Sequence, residues 1–195
     1  LNEFLLTSKL FNRAYTKPLG YAGDYEMMNI IYRNEFEGDD IFSQVMNRID
    51  CEGAAAKAVR NRRSYFFSKL ATLYNGLQDG SSCKVVSVAC GPCVGMGDFF
   101  HSIRENPRPV TIDVIAMDQD RQALRDAEQR LLPLIQENGA VRVQLLQDNI
   151  KSLILGREKE TRRYSGADLI YTAGLCDYLS ANAVSRLITE LYRHL

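Results

Sequence analysis

Apolar positions recur at helical spacing through residues 1–80 and then gather into short solid runs. Leu1 to Tyr15 carries Leu1, Phe4, Leu5 and Phe11 on a spacing that predicts a helix. Lys17-Pro-Leu-Gly-Tyr-Ala-Gly-Asp24 interrupts it with one Pro and two Gly. Tyr25 to Tyr32 resumes the helical pattern. Residues 39–50 and 53–77 read as two further helices, the second rich in Ala, Lys, Arg and Leu. Asn75-Gly-Leu-Gln-Asp-Gly-Ser-Ser82 is a turn-rich boundary. It separates a helical N-terminal region, 1–80, from a second region, 81–195.

The second region alternates. Lys84–Ala89 predicts a buried strand and Val94–Glu105 a helix, stopped by Asn106-Pro-Arg-Pro109. Val110–Met117 predicts a second strand. Arg121–Asn138 predicts a long amphipathic helix that runs through Pro133 and ends at Gly139. Val141–Gln147 and Ala167–Thr172 predict the third and fourth strands. Ala181–His194 predicts a last helix with Ser180 as its N-cap. Strands alternating with helices imply parallel βαβ units with right-handed crossovers, an α/β fold. Ligands of such sheets bind at the carboxyl ends of the strands, near the switch point.

Composition narrows the classes. The 195 residues suffice for one domain or a domain with an appendage. Hydrophobic residues at 46% and charged residues at 25% fit a soluble globular chain. No apolar run approaches the roughly 18 residues of a membrane span. The opening Leu-Asn-Glu-Phe shows no basic region ahead of an apolar stretch, so no secretory signal is expected and a cytoplasmic location is. Twenty-four basic against 24 acidic residues argue against a nucleic-acid partner. The run Arg60-Asn-Arg-Arg63 reads as a solvated helix face or as a phosphate or carboxylate site. The cysteines, Cys51, Cys83, Cys90, Cys93 and Cys176, are odd in number, which fits a reducing compartment. No metal is expected: a second Cys pair is missing, and His101 and His194 lie far from the first in sequence.

The candidate chemistry sits in Lys84-Val-Val-Ser-Val-Ala-Cys-Gly-Pro-Cys-Val-Gly-Met-Gly97, which joins a strand to a Gly-rich turn and then to a helix. Two readings compete. Cys90-Gly-Pro-Cys93 resembles the redox pair of a thioredoxin, whose first thiol is activated at a helix N-terminus. Yet the chain has no Trp to precede such a motif and no Thr-Pro or Ile-Pro turn after it. In the second reading the turn cradles a nucleotide. Gly91 lets the backbone pass close to a ligand and leaves N–H groups free. Asp118, in Val114-Ile-Ala-Met-Asp-Gln-Asp120, closes the second strand, where a carboxylate binds ribose hydroxyls. Asp148-Asn149 closes the third, where a side chain can contact an adenine ring.

This constellation resembles the class I S-adenosylmethionine (SAM) methyltransferases. Val86-Ser-Val-Ala-Cys-Gly-Pro92 is similar to the family's first motif. Ser87 stands where an acidic residue is usual, Ala89 where the first Gly is, and Cys93 where a later Gly is; Gly91 is retained. Asp118 matches the ribose-binding position and Asp148 the adenine-contacting one. Ala167-Asp-Leu-Ile-Tyr-Thr-Ala-Gly-Leu-Cys-Asp-Tyr178 resembles the fourth-strand motif, which faces the methionine end and the substrate. The resemblance spans residues 83–195 and implies a Rossmann-like fold. Lys17-Pro-Leu-Gly-Tyr-Ala-Gly-Asp-Tyr-Glu26 resembles a segment of the methyltransferases that make 3-hydroxypalmitic acid methyl ester, and implies a helical lid.

The resemblance implies SAM as cofactor, bound by Tyr21, Asp24, Ala89, Cys90, Gly91, Pro92, Asp118, Gln119, Asp148, Asn149, Thr172 and Ala173. It implies O-methylation of a small or fatty carboxylic acid. That acceptor is ionised at neutral pH and needs no general base, so no catalytic side chain is singled out. Cationic and hydroxyl groups would hold it: Tyr15, Lys17, Tyr21, Arg62 or Arg63, and Tyr171 or Tyr178. Asp177 is a helix-start residue or a site residue. Met27, Met28, Ile30 and Ile31 suit an acyl chain or ordinary packing. A non-catalytic SAM-binding module is a further alternative. Methyltransferases of this class have seven strands, whereas this chain ends at Leu195, in the helix after the fourth. The apolar edge of that strand is expected to be covered by later chain or by a second copy in a homodimer.

Overall fold

The computed structural model describes residues 2–135, 139–155 and 161–195. They form two compact units that meet in sequence between Lys69 and Leu70, inside one long helix.

The first unit is helical. It comprises α1 (Asn2–Leu5), α2 (Lys9–Thr16), α3 (Tyr25–Arg33), α4 (Ile41–Cys51) and the first part of α5 (Ala54–Gly76). The single helix expected over Leu1–Tyr15 is two. Ser8 takes an extended conformation, and its Oγ accepts the Phe11 N–H at 3.2 Å, which restarts the helix. Asp24 caps α3 in the same way, accepting the Met27 N–H. Asp40 and Ser43 form a reciprocal capping box at α4. Leu10, Ile30, Ile31, Cys51 and Ala56 make the core, with Met27, Met28 and Val59 packed against it. The Met and Ile residues considered for an acyl chain thus pack within this core. Asn47 is buried there and fully used. Its Oδ1 accepts the Leu10 N–H at 3.0 Å, and its Nδ2 donates to the Glu35 carbonyl at 3.3 Å.

The second unit is a four-stranded parallel sheet with helices. Its elements are β1 (Ser82–Val88), α6 (Val94–Glu105), β2 (Thr111–Asp118), α7 (Arg121–Ile135), β3 (Val141–Gln147), α8 (Lys151–Ile154), β4 (Leu169–Thr172) and α9 (Ala181–Tyr192). Single 3₁₀ turns cover Arg162–Tyr164 and Leu175–Tyr178. The strand order is β3-β2-β1-β4. The chain steps outward from β1 to β3, then returns to the other side of β1, so the switch point lies between β1 and β4. In register, Val88 stands beside both Met117 and Thr172, and Asp118 beside Gln147. The four strand ends are thereby aligned.

The central strands are apolar because both their faces are covered. Val85, Val86, Val88, Ile112, Val114 and Met117 are all buried. Pro133 lies inside α7 as expected, and residues 136–138 of that expected helix fall outside the described residues. A Cβ on Gly97 would come within 3.3 Å of the Arg130 side chain, so its glycine lets that side chain lie against α6. The fourth strand is shorter than expected. Asp168 uses its carboxylate to accept the Lys84 N–H at 2.8 Å, and the Ala167 N–H turns to the His194 carbonyl at 3.0 Å. The last helix starts where expected, with Ser180 Oγ accepting the Ala183 N–H, and stops at Tyr192. Among the described residues, no helix is long and apolar enough to cross a membrane.

Candidate functional site

The turn after β1 is built from left-handed backbone. Ala89 has φ 53°, Gly91 φ 54° and Cys93 φ 53°. Ala89 and Cys93 carry side chains in this left-handed conformation, which glycine adopts freely. Each keeps the glycine conformation at a cost of roughly 1–2 kcal/mol from its Cβ. Backbone and side-chain hydrogen bonds hold the turn. The Cys90 N–H donates to the Met117 carbonyl at 2.9 Å, and the Cys93 N–H to the Cys90 carbonyl at 3.3 Å. From α7, Arg130 Nε donates to the Pro92 carbonyl at 3.0 Å. A Cβ on Gly91 would meet nothing within 4 Å, so the space beside the turn is open.

Asp118 faces this turn from the end of β2. Its Oδ2 accepts the Gly91 N–H at 2.9 Å and its Oδ1 accepts the Asp120 N–H at 2.9 Å. Burial pushes this carboxyl up from its ordinary value, against the Asp120, Gly91 and Gln119 N–H groups, which pull it down. Each carboxylate oxygen has a lone pair left beyond its backbone donor, the acceptor capacity a ribose diol requires.

The end of β3 stands next to it. The Asp148 N–H donates to the Asp118 carbonyl at 3.1 Å. Asp148 Oδ1 accepts the Asn149 N–H at 2.7 Å, and its Oδ2 accepts the Tyr164 hydroxyl at 3.4 Å. Asn149 Nδ2 donates to Gln119 Oε1 at 3.1 Å. The structure therefore brings together Ala89, Cys90, Gly91, Pro92, Asp118, Gln119, Asp148 and Asn149 across three adjacent strand ends. Thr172 ends β4 beside Val88, and its Oγ1 is buried without a hydrogen-bond partner. Ala173, Asp177 and Tyr178 follow on the exposed turn after β4, with Tyr178 53% exposed.

Two residues absent from the sequence-based site support it. Arg130 braces the turn from 38 positions away. Tyr164 is completely buried and reaches Asp148 from a 3₁₀ turn that no periodicity marks. Neither leaves a signal in a single sequence.

The Cys90–Cys93 pair behaves unlike an attacking dithiol. A hydrogen bond with Cys93, then burial, pushes the Cys90 thiol well above its ordinary value. Disulfide exchange requires the opposite shift. All five cysteines are free thiols.

The remaining predicted residues belong to the first unit. Asp24 is 1% exposed and structurally committed: Oδ1 accepts both the Met27 N–H at 2.9 Å and Arg13 Nε at 2.6 Å. Tyr21 is half-buried. Lys17 ends α2 in a left-handed conformation with its side chain exposed, and Tyr15 and Arg62 are also exposed. A cleft of about 600 Å³ in this unit is lined by Lys9, Arg13, Glu26 and Glu37 among others, and both of those cations are paired, with Glu37 and Asp24. Among the described residues, no cluster of three or more His, Cys, Asp or Glu side chains is placed to hold a metal.

Solved structures share the architecture. A possible exported protein from Bordetella parapertussis superposes with a TM-score of 0.66 at 20% identity. The match covers 96% of this chain and 57% of that one. The DszA carbon methyltransferase superposes with a TM-score of 0.50 at 13% identity, over 99% of this chain and 44% of that one. The chain thus spans little more than half of the first neighbour and less than half of the second. At these identities the likeness establishes the fold. It is Rossmann-like, and a methyltransferase shares it. No protein-family model matches the chain, and no curated protein matches it by sequence.

Proposed function

We propose that the chain binds SAM at the ends of β1–β4 and transfers its methyl group to the carboxylate of a small or fatty acid. The observation that carries the reading is the Asp118 carboxylate, held by the Gly91 and Asp120 N–H groups with acceptor capacity to spare. It stands at the end of β2 beside an open left-handed turn, and that turn follows β1, which borders the switch point where such folds bind nucleotides.

In this reading Asp118 would accept the ribose hydroxyls, Asp148, Asn149 and Gln119 would hold the adenine, and the backbone of residues 89–92 would line the sugar and methionine. Thr172 and Ala173 face the methionine end. SAM, when bound, supplies an electrophilic methyl group on a sulfonium. The chain's own contribution is alignment and exclusion of water, and alignment alone supplies on the order of 7–11 kcal/mol in favourable cases. An ionised acid needs no proton removed, so this transfer requires no general base. Asp177 and Tyr178, on the exposed turn after β4, are the proposed acceptor-holding groups. The raised Cys90 thiol favours this reading over disulfide exchange.

Calorimetry with SAM and with S-adenosylhomocysteine tests binding. Both ligands are expected to bind, and Asp118→Ala to weaken each by at least about tenfold, the effect of losing hydrogen bonds to a charged group. Labelled methyl transfer to carboxylic acids of graded chain length then tests the acceptor. Binding without turnover on any acid selects the non-catalytic module, and no binding removes the proposal.

A further inference from the structure

We propose that Tyr164 is the positioning residue that aims Asp148 at the nucleobase, giving the site its selectivity for a base bearing an exocyclic amine. The inference rests on the nucleotide reading above and extends it to a residue in no strand-end motif.

Tyr164 lies in the 3₁₀ turn Arg162–Tyr164 and is fully buried. Its hydroxyl reaches two adjacent strand ends. It lies 3.4 Å from Asp148 Oδ2 and 3.3 Å from Met117 Sδ, the residue before Asp118. The hydroxyl carries one proton and the Asp148 carboxylate is the stronger acceptor, so its donation orients one Asp148 oxygen while Met117 Sδ lies beside it. Burial also raises the hydroxyl to about 12, so it remains a proton donor through the neutral range.

The ring has a second anchor. It packs edge-on against His194, with centroids 6.2 Å apart at 72°. His194 Nδ1 lies 2.9 Å from Ser165 Oγ, and His194 Nε2 lies 3.4 Å from Glu190 Oε1. Both His194 and Glu190 are buried. Tyr164 is therefore held by His194, just after α9, and reports to the end of β3. Asp148 Oδ1 is already occupied by the Asn149 N–H, so its carboxylate is constrained from both sides. A carboxylate fixed in this way accepts from an amine and repels a carbonyl oxygen. It should favour adenine, whose C6 carries an amine, over hypoxanthine, whose C6 carries an oxygen.

The test compares S-adenosylhomocysteine with S-inosylhomocysteine by calorimetry, on wild type, Tyr164→Phe, Asp148→Asn and the double variant. Wild type is expected to prefer the adenosyl ligand by about tenfold or more. Tyr164→Phe keeps the ring and removes the hydroxyl; the preference should fall by about three- to tenfold. Combined with Asp148→Asn, it should change the preference no further. A merely structural role would lower both affinities together and leave their ratio intact. A wild-type preference unchanged in Tyr164→Phe, or an equal loss on the Asp148→Asn background, overturns the inference while leaving the nucleotide reading in place. Failure of wild type to bind either ligand overturns both. Asp148→Asn tests the carboxylate independently if the Phe variant is poorly folded, since loss of preference there is required as well.

Discussion

The Gly91 N–H donates to Asp118 Oδ2 at 2.9 Å, tying the turn after β1 to the carboxylate that closes β2. One bond joins the two sequence features from which a nucleotide site is inferred. It orients the carboxylate and, because the Asp120 N–H takes the other oxygen, leaves it little rotational freedom. Such preorganisation is what a diol-binding carboxylate requires, since its rotamer is fixed before the ligand arrives.

The same burial makes Asp118 sensitive to pH. Its folded pKa lies above its ordinary value of 3.8. The folded state therefore binds this proton more tightly than the unfolded state does. The resulting stability is full below the unfolded pKa and is lost as pH rises through the folded one. Ligand binding runs the other way, because the ionised carboxylate is the stronger acceptor. S-adenosylhomocysteine affinity, measured by calorimetry across the acidic range, is expected to fall as pH drops through a midpoint above 3.8. A midpoint at or below that value would show that Asp118 does not govern binding.

Ala89 predicts a gain in stability. Its φ of 53° costs an alanine roughly 1–2 kcal/mol. Glycine removes that strain but adds unfolded-state freedom of roughly 0.5–1 kcal/mol. Ala89→Gly is therefore expected to stabilise the fold by about 0.5–1 kcal/mol, seen as a higher urea midpoint at an unchanged slope. Cys93 has the same φ but is a poorer place for the test: its side chain is buried, and removing it loses packing.

Much of this fold was legible because its signals are local. The solid runs at Val85–Val88 and Val114–Met117 mark strands covered on both faces; Asp118 ends β2 and Asp148 directly follows β3. The contacts that refine the site are not local. Arg130 reaches Pro92 across 38 positions, and Tyr164 reaches Met117 across 47. Both depend on how a helix or turn lies over the sheet, which no periodicity encodes. The break at Ser8 is hidden for a different reason: serine is tolerated within helices, and only its extended backbone makes it a cap. Asp24 illustrates a third case, where a residue that the resemblance assigns to the cofactor has an evident structural task.

That task makes Asp24 testable on its own. It caps α3 and pairs with Arg13 at 2.6 Å while 1% exposed. Asp24→Ala removes the cap and strands the guanidinium, a loss of about 2–4 kcal/mol. Asp24→Asn keeps the cap oxygen and should cost less. Urea unfolding of both variants measures the two costs. If Asp24→Ala unfolds with the wild-type midpoint, the capping and pairing account fails.

The cysteines separate methyl transfer from redox chemistry without a substrate. Thiolates react with iodoacetamide and thiols do not, so labelling order follows exposure and thiolate content. Cys90 is pushed up by its hydrogen bond with Cys93, by burial and by the negative charge of Asp118. Burial, with Asp168 and Asp113 nearby, pushes Cys83 up to about 11, and burial raises Cys51 as well. Cys176 is exposed on the turn after β4. Peptide mapping after brief labelling at neutral pH is expected to find Cys176 modified first and Cys90 slowly. A dithiol built for disulfide exchange would reverse that order, with Cys90 or Cys93 labelled fastest and the protein reducing insulin. That outcome would move the turn after β1 from methyl transfer to electron transfer, and Asp118 would then be the buried carboxylate that adjusts a thiol.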